Sequence, residues 1–280
     1  MDKNFIPPEL TMSLNHVLVE ELADTIRDGR NNSKLDFNLS LMANKHIEIG
    51  RDSYWDIGDM QGLKQHFHLS AKLALLGSNY CSDDGPLFTW PDDCLYGVLS
   101  DSPAAIHACA TMATPRFIEH RDKPTFYQFY THMYQLAIRE EYSQLETKMN
   151  LIKSSSIKGV REEITNSVKF YSLFLNGDKE SLEQFVFEKA QKWQRKVNRN
   201  AETRTVITSH VMAADAMEYA KLCWLKGIEV EIDHPLVPME LLPIKPLDHY
   251  DDVYDFLSPD WVPPPQNVFE KITKWIKGWP

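Results

Sequence analysis

Two histidines set two residues apart, His66 and His68, come closest to a metal-binding pair in this 280-residue chain. On a helix, positions i and i+2 point about 200° apart, so one ion cannot be held by both and ordinary helix positions are expected. Glu231 and His234 have the E-x-x-H spacing of a di-iron half-site. Pro235 follows at once and the chain holds no second copy, so the helical geometry that motif needs is not expected. Asp215 and Glu218 share a helix face at i,i+3 and read as a solvated face or a local salt bridge, while His210, five residues before Asp215, lies off that face. Cys81, Cys94, Cys109 and Cys223 form no C-x-x-C pair, and buried reduced thiols are expected of them. Phosphate-loop, dinucleotide, nucleophile-elbow and zinc-protease signatures do not occur in the sequence. No catalytic residue, metal site or cofactor is therefore expected, and the chain reads as a protein other than an enzyme.

Two further patterns have ordinary explanations. Phe126, Tyr127, Phe129, Tyr130 and Tyr134 resemble a stacking platform for bases but suit a helix packed on both sides. Lys189, Lys192, Arg195, Lys196, Arg199 and Arg204, with Trp193 among them, read as the solvated basic face of one helix and its turn.

The least ordinary pattern is a charge desert of one sign. Between Lys72 and Arg116 no basic residue occurs in 43 positions, while Asp83, Asp84, Asp92, Asp93 and Asp101 all fall there. They are interleaved with Tyr80, Phe88, Trp90 and Tyr96. Acids beside exposed rings suit a surface for a basic protein, because the field steers the encounter and the rings anchor it. A second acidic run follows residue 228, where Glu229, Glu231, Asp233, Asp251 and Asp252 join the candidate partner-binding residues.

Helical periodicity supplies the elements that position these groups. Leu10, Leu14, Val17, Leu18, Leu22 and Ile26 form one stripe of an amphipathic helix ending near Gly29. Residues 30–58 read as polar and irregular. Asp59 then caps a helix with the stripe Leu63, Phe67, Ser70, Leu73 and Leu76, stopped at Gly77. Residues 78–91 read as a loop, followed by short helices from about Asp92 and from Ser102-Pro103. Helical stretches are expected at roughly 124–150, 160–176, 179–198 and 201–226, and their short turns make them antiparallel neighbours. Residues 228–265 hold eight of the sixteen prolines, which favours an extended strap pinned by Leu236, Val237, Leu241, Leu242 and Phe256. A last short helix is expected at about 266–277. The expected fold is thus all-α: a multi-helix antiparallel bundle with an extended Pro-rich acidic strap and a short C-terminal helix. It is read as one domain over 1–280, with substructure at 1–122, 123–227, 228–265 and 266–280.

Thirty Lys and Arg against forty Asp and Glu leave a net charge of −10, unevenly spread. Residues 1–150 carry −8, 151–227 carry +4, 228–265 carry −8 and 266–280 carry +2. Such a chain is repelled by phosphate backbones and anionic membranes, so neither nucleic acid nor membrane is an expected partner. The first residues lack a basic stretch followed by an apolar one, and no apolar run is long enough to span a bilayer; a cytoplasmic location is expected.

Several segments, in order, resemble the immunity protein 49 family of bacterial polymorphic toxin systems. They are DMQGLKQHFHLSAKL from Asp59, VLSDSP from Val98, KGIEVEIDHPLVPMELL from Lys226 and YDDVYDFL from Tyr250. The resemblance implies a mostly helical protein that binds a cognate toxin effector and blocks it in the producing cell. It transfers no site residues, because none of these motifs is a reaction centre. Many antibacterial effectors act on nucleic acids, and a nuclease must be basic to hold phosphates; a basic, nuclease-type toxin therefore fits the acidic zones. A helical scaffold or regulator binding a peptide in a groove shares this pattern. So does an enzyme with an unrecognised site built on His210, Asp215 and Glu218.

Overall fold

The computed structural model describes residues 8–29, 34–80, 91–154, 160, 162–200 and 208–265. Among them are eleven α-helices and no β-strand, so the protein is all-α as expected. The chain divides into two compact units, Met1–Gly85 with His249–Pro280, and Pro86–Asp248.

The first unit is built on α1 (Pro8–Arg27), α2 (Leu35–Trp55) and α3 (Met60–Tyr80). Helix α1 stops where the sequence places its end, with Gly29 in the left-handed region at φ 66°. Its buried face is Asn15, Val19, Ala23 and Ile26, which leaves Leu14 and Val17 of the expected stripe exposed.

The irregular region expected at 30–58 is instead largely α2. Leu35, Leu39, Met42, His46, Ile49 and Ser53 are buried along it at alternating steps of four and three. Two of those six positions are polar, and that is why composition hides a regular helical stripe. Gly77 does not stop α3; it lies inside the helix, where a Cβ would stand 3.3 Å from Cβ of Leu39. Gly50 does the same from the other side, since its Cβ would meet Cδ1 of Phe67 at 3.1 Å. The α2–α3 contact thus depends on two missing side chains. Gly50→Val is expected to cost about 1–3 kcal/mol by overpacking. A urea midpoint unchanged by this substitution would contradict that close contact.

The second unit holds α4 (Pro91–Leu99), α5 (Pro103–Thr111), α6 (Pro115–His120), α7 (Tyr127–Ile138) and α8 (Tyr142–Ser154). It continues with α9 (Glu162–Asn176), α10 (Lys179–Arg199) and α11 (Ala214–Leu225). Helix α5 starts as its sequence demands, with Ala105 N–H donating to Ser102 Oγ at 3.3 Å and Pro103 in the first turn. The single helix expected over 124–150 is two. Glu140 adopts φ 58° and Glu141 N–H returns to the Leu136 carbonyl at 2.9 Å, reversing the chain. The arginine between them, Arg139, holds Glu141 at 2.6 Å. The stretch expected from 201 becomes helical only at Ala214; residues 208–213 are turn and extended chain, and 201–207 lie outside the described residues.

Helix α7 is buried from Gln128 to Ala137, so its aromatics are core. Phe170, Tyr171, Phe174, Phe185 and Tyr219 close on one another around it, with the rings of Phe170 and Tyr219 4.1 Å apart. Cys94, Cys109 and Cys223 are buried thiols outside any disulfide, and burial pushes Cys223 up to about 12. Cys81 and the helix expected at 266–277 lie outside the described residues. No helix among the described residues is long and apolar enough to cross a membrane.

Candidate partner-binding site

In the second unit the strap begins as α11 ends, where Gly227 takes φ 78° and Ile228 N–H caps the Cys223 carbonyl at 2.8 Å. From there exposure alternates: Glu229, Glu231, Asp233 and Pro235 face outward, while Val230, Ile232, His234 and Leu236 are buried. The backbone is extended yet joins no ladder. Short backbone turns within it, such as His234 N–H to the Ile232 carbonyl at 3.0 Å, and the bond of Ala213 N–H to the Leu236 carbonyl at 2.8 Å are supplemented by side chains. Glu183 of α10 accepts the N–H of Glu231 at 2.8 Å, and Lys179 stands 3.6 Å from Glu183 and 3.8 Å from Glu231. Trp224 donates its indole N–H to the Val230 carbonyl at 3.1 Å.

Between α9, α10 and this strap lies an open cleft of about 580 Å³. Leu173, Phe185, Phe187 and Ile232 supply its apolar lining. Its carboxylates are Glu180, Glu183 and Glu188 from α10, and Glu231 and Asp233 from the strap; Lys169 lines it as well, and Lys179 beside it faces Glu183 and Glu231, which leaves the acids in excess. The cleft therefore carries a net anionic field over an aromatic floor. Of its acids the sequence pointed to Glu231 and Asp233 alone; Glu180, Glu183, Glu188 and Phe187 were missed, because three acids on a charged helix look like any solvated face. The basic stretch on the same helix is answered locally. Lys189, Lys192 and Lys196 share a pocket of about 90 Å³ with Glu162, Glu163 and Asp215, and Lys192 meets Glu162 at 3.0 Å.

The lower end of the strap is locked from inside. Lys221 of α11 is fully buried, forms an ion pair with Asp101 Oδ1 at 2.7 Å, and donates to the Leu241 carbonyl at 2.7 Å and to the Pro243 carbonyl at 3.3 Å. The other oxygen of Asp101 accepts the N–H of Lys245 at 3.2 Å. Asp101, expected among the surface acids, is thus an interior residue with no side-chain exposure. The VLSDSP run explains why. Ser100 and Ser102 satisfy the turn between α4 and α5, and Asp101 at φ 58° is turned inward. Lys221 was missed; its only signal is a lone base inside an apolar helical run.

Of the other acids near it, Asp92 and Asp93 fall in the first turn of α4, while Asp83, Asp84 and Trp90 lie outside the described residues. Tyr96 is half-buried, its hydroxyl 3.3 Å from Thr208. Glu218, expected on a solvated face, is buried and accepts from the Tyr130 hydroxyl at 3.3 Å, because α11 is enclosed on nearly every side. His210 is exposed, and no cluster of three metal-ligating groups occurs among the described residues.

Asp251 and Asp252 belong to the first unit, where residues 250–257 are clamped onto the helices. Gln65 exchanges two hydrogen bonds with the Asp251 backbone, at 2.7 and 3.1 Å. Asp252 is held by Lys72 and by His68 Nε2 at 3.0 Å, and Asp255 by Arg27 at 2.9 Å. Deeper in, the Tyr254 hydroxyl meets His46 Nε2 at 2.9 Å, and His46 Nδ1 meets His66 Nδ1 at 2.8 Å. His66 and His68 therefore serve separate contacts, as their i,i+2 spacing requires. Burial holds the His46 and His68 imidazoles below their ordinary range and takes His66 down to about 4, with neighbouring His16 adding to the effect.

These features define an all-α protein carrying an anionic cleft on its second unit. The chain resembles the immunity protein 49 family: the model of that family, described as Immunity protein 49, matches residues 117–241. The matched span runs from α6 through α11 to the 3₁₀ turn Met239–Leu241, and so contains every residue lining the cleft. The runs beginning at Asp59, Val98 and Tyr250 fall outside it. No curated protein and no solved structure matches the chain.

Proposed function

We propose that this protein is an immunity protein that binds a cognate toxin effector in the cytoplasm of the producing cell and neutralises it, without catalysis of its own. The observation that carries the reading is the Immunity protein 49 match, whose residues are the ones that build the anionic cleft. A carboxylate-rimmed face suits a toxin that is itself basic, as a nuclease must be. Complementary fields raise the encounter rate, and the docked protein covers the surface on which substrate phosphates would lie.

The reading expects a toxin domain encoded beside this chain, and that domain supplies the test. Induced in a sensitive host, it should stop growth, and co-expression of this chain should restore growth. Killing that continues unchanged beside well-expressed protein would overturn the proposal. A neutralised toxin that proved acidic would overturn only the charge argument.

A further inference from the structure

We infer that the cleft between α9, α10 and the strap is an arginine-reading site: it takes a short extended segment of the toxin bearing two or more arginines. The inference rests on the immunity reading above and names what that partner presents.

Charge favours a cation, since the five carboxylates that line the cleft outnumber the ammonium groups at it, Lys169 in its lining and Lys179 and Lys189 beside it. The floor adds that the cation should be planar. Phe185 already has two of the protein's own ammonium groups near its ring, Lys169 at 5.7 Å and Lys189 at 5.6 Å. This wall therefore accepts cations against aromatic faces. Phe187 lines the same cleft, half-buried, with the His234 ring edge-on at 5.6 Å. A guanidinium can stack on a ring while its fork of donors meets carboxylates such as Glu231 and Asp233; an ammonium is a point charge and gains less from that arrangement. An extended strand that pairs with the strap backbone is disfavoured at Glu231, because its N–H is already given to Glu183. Recognition then falls to side chains.

The probe is a blocked hexapeptide with arginines at its second and fourth positions, beside versions carrying lysine or glutamate there, titrated into the full chain at low salt. The arginine peptide should bind with shifts confined to α10 and residues 228–236, roughly fivefold or more tighter than the lysine peptide. Glu231→Gln with Asp233→Asn, both at exposed positions, should weaken it roughly tenfold. Phe187→Leu, which keeps the packing volume, should erase the preference for arginine over lysine. Equal binding of the arginine and lysine peptides, or binding indifferent to the paired substitution, overturns the inference. Growth rescue separates it from the functional reading. Full protection by the Glu231→Gln, Asp233→Asn, Phe187→Leu protein sinks the arginine site alone, whereas absence of rescue by the unaltered protein sinks the immunity reading.

Discussion

Asp101→Asn is expected to lower the unfolding free energy by about 3–5 kcal/mol, the cost of leaving a buried charge without its partner. Asparagine is nearly the same size and tolerates the left-handed backbone that residue 101 adopts at φ 58°, so the turn itself is kept. What changes is Lys221, which has no exposure and would keep two carbonyl acceptors while losing the carboxylate charge of Asp101. Lys221→Met should cost a similar amount for the converse reason. The double variant should recover a large part of either loss, because an uncharged pair needs no compensation in the interior. Urea unfolding of the three proteins measures this directly. A loss below about 1 kcal/mol in Asp101→Asn would mean that water reaches the pair. Since this pair ties α4, α5 and α11 to the strap, the single variants should also loosen the wall of the cleft.

Acid is expected to weaken the first unit well above the range where carboxylates titrate. His66 has a folded pKa of about 4 against an ordinary 6.5, so folding favours its neutral form. The stability this contributes is fully present above pH 6.5, falls as pH drops from 6.5 to 4, and loses about 3 kcal/mol across that window. His46 shifts the same way from a more buried position, facing His66, His16 and the Tyr254 hydroxyl. Once both imidazoles are protonated they repel each other, and the His46 Nδ1–His66 Nδ1 hydrogen bond, which needs one unprotonated nitrogen, is lost. Asp252 acts at lower pH. Its carboxyl is held below the ordinary range by Lys72 and His68 against the opposing effect of burial, so its contribution fades only as pH falls below about 4. His132 in the second unit is also taken down to about 4, chiefly by burial, and adds a loss of its own. Comparison of His66→Gln with the unaltered protein isolates the first effect. Between pH 7 and pH 4.5 the variant should lose less stability, and equal losses would contradict the role given to His66.

What the sequence disclosed followed from period and punctuation. The end of α1 at Gly29, the Ser102-Pro103 start of α5 and the hairpin of α9 and α10 were legible, because each rests on local chemistry. From Glu229 to Ile232 charged and apolar residues alternate in the sequence and exposure alternates with them, although no strand forms. Helix α2 was hidden because His46 and Ser53 occupy two places of its stripe, and Gly77 misled because a glycine also permits close helix contact. Burial of Asp101 and Glu218 was not legible. Their partners Lys221 and Tyr130 lie 120 and 88 residues away, and only tertiary packing shows that those charges are answered inside. Likewise the cleft joins α10 to a strap some fifty residues later through Glu183 and Glu231, a pairing with no short-range signal.

The proposed function requires that this chain bind a basic toxin and silence it. The most direct measurement titrates the purified chain into the purified toxin domain that the reading expects to be encoded beside it, following toxin activity and heat of binding together at two salt concentrations. Activity should fall to zero at a fixed stoichiometry, with an affinity that weakens as salt rises. Heat of binding without loss of activity, or no binding at low salt, would contradict it.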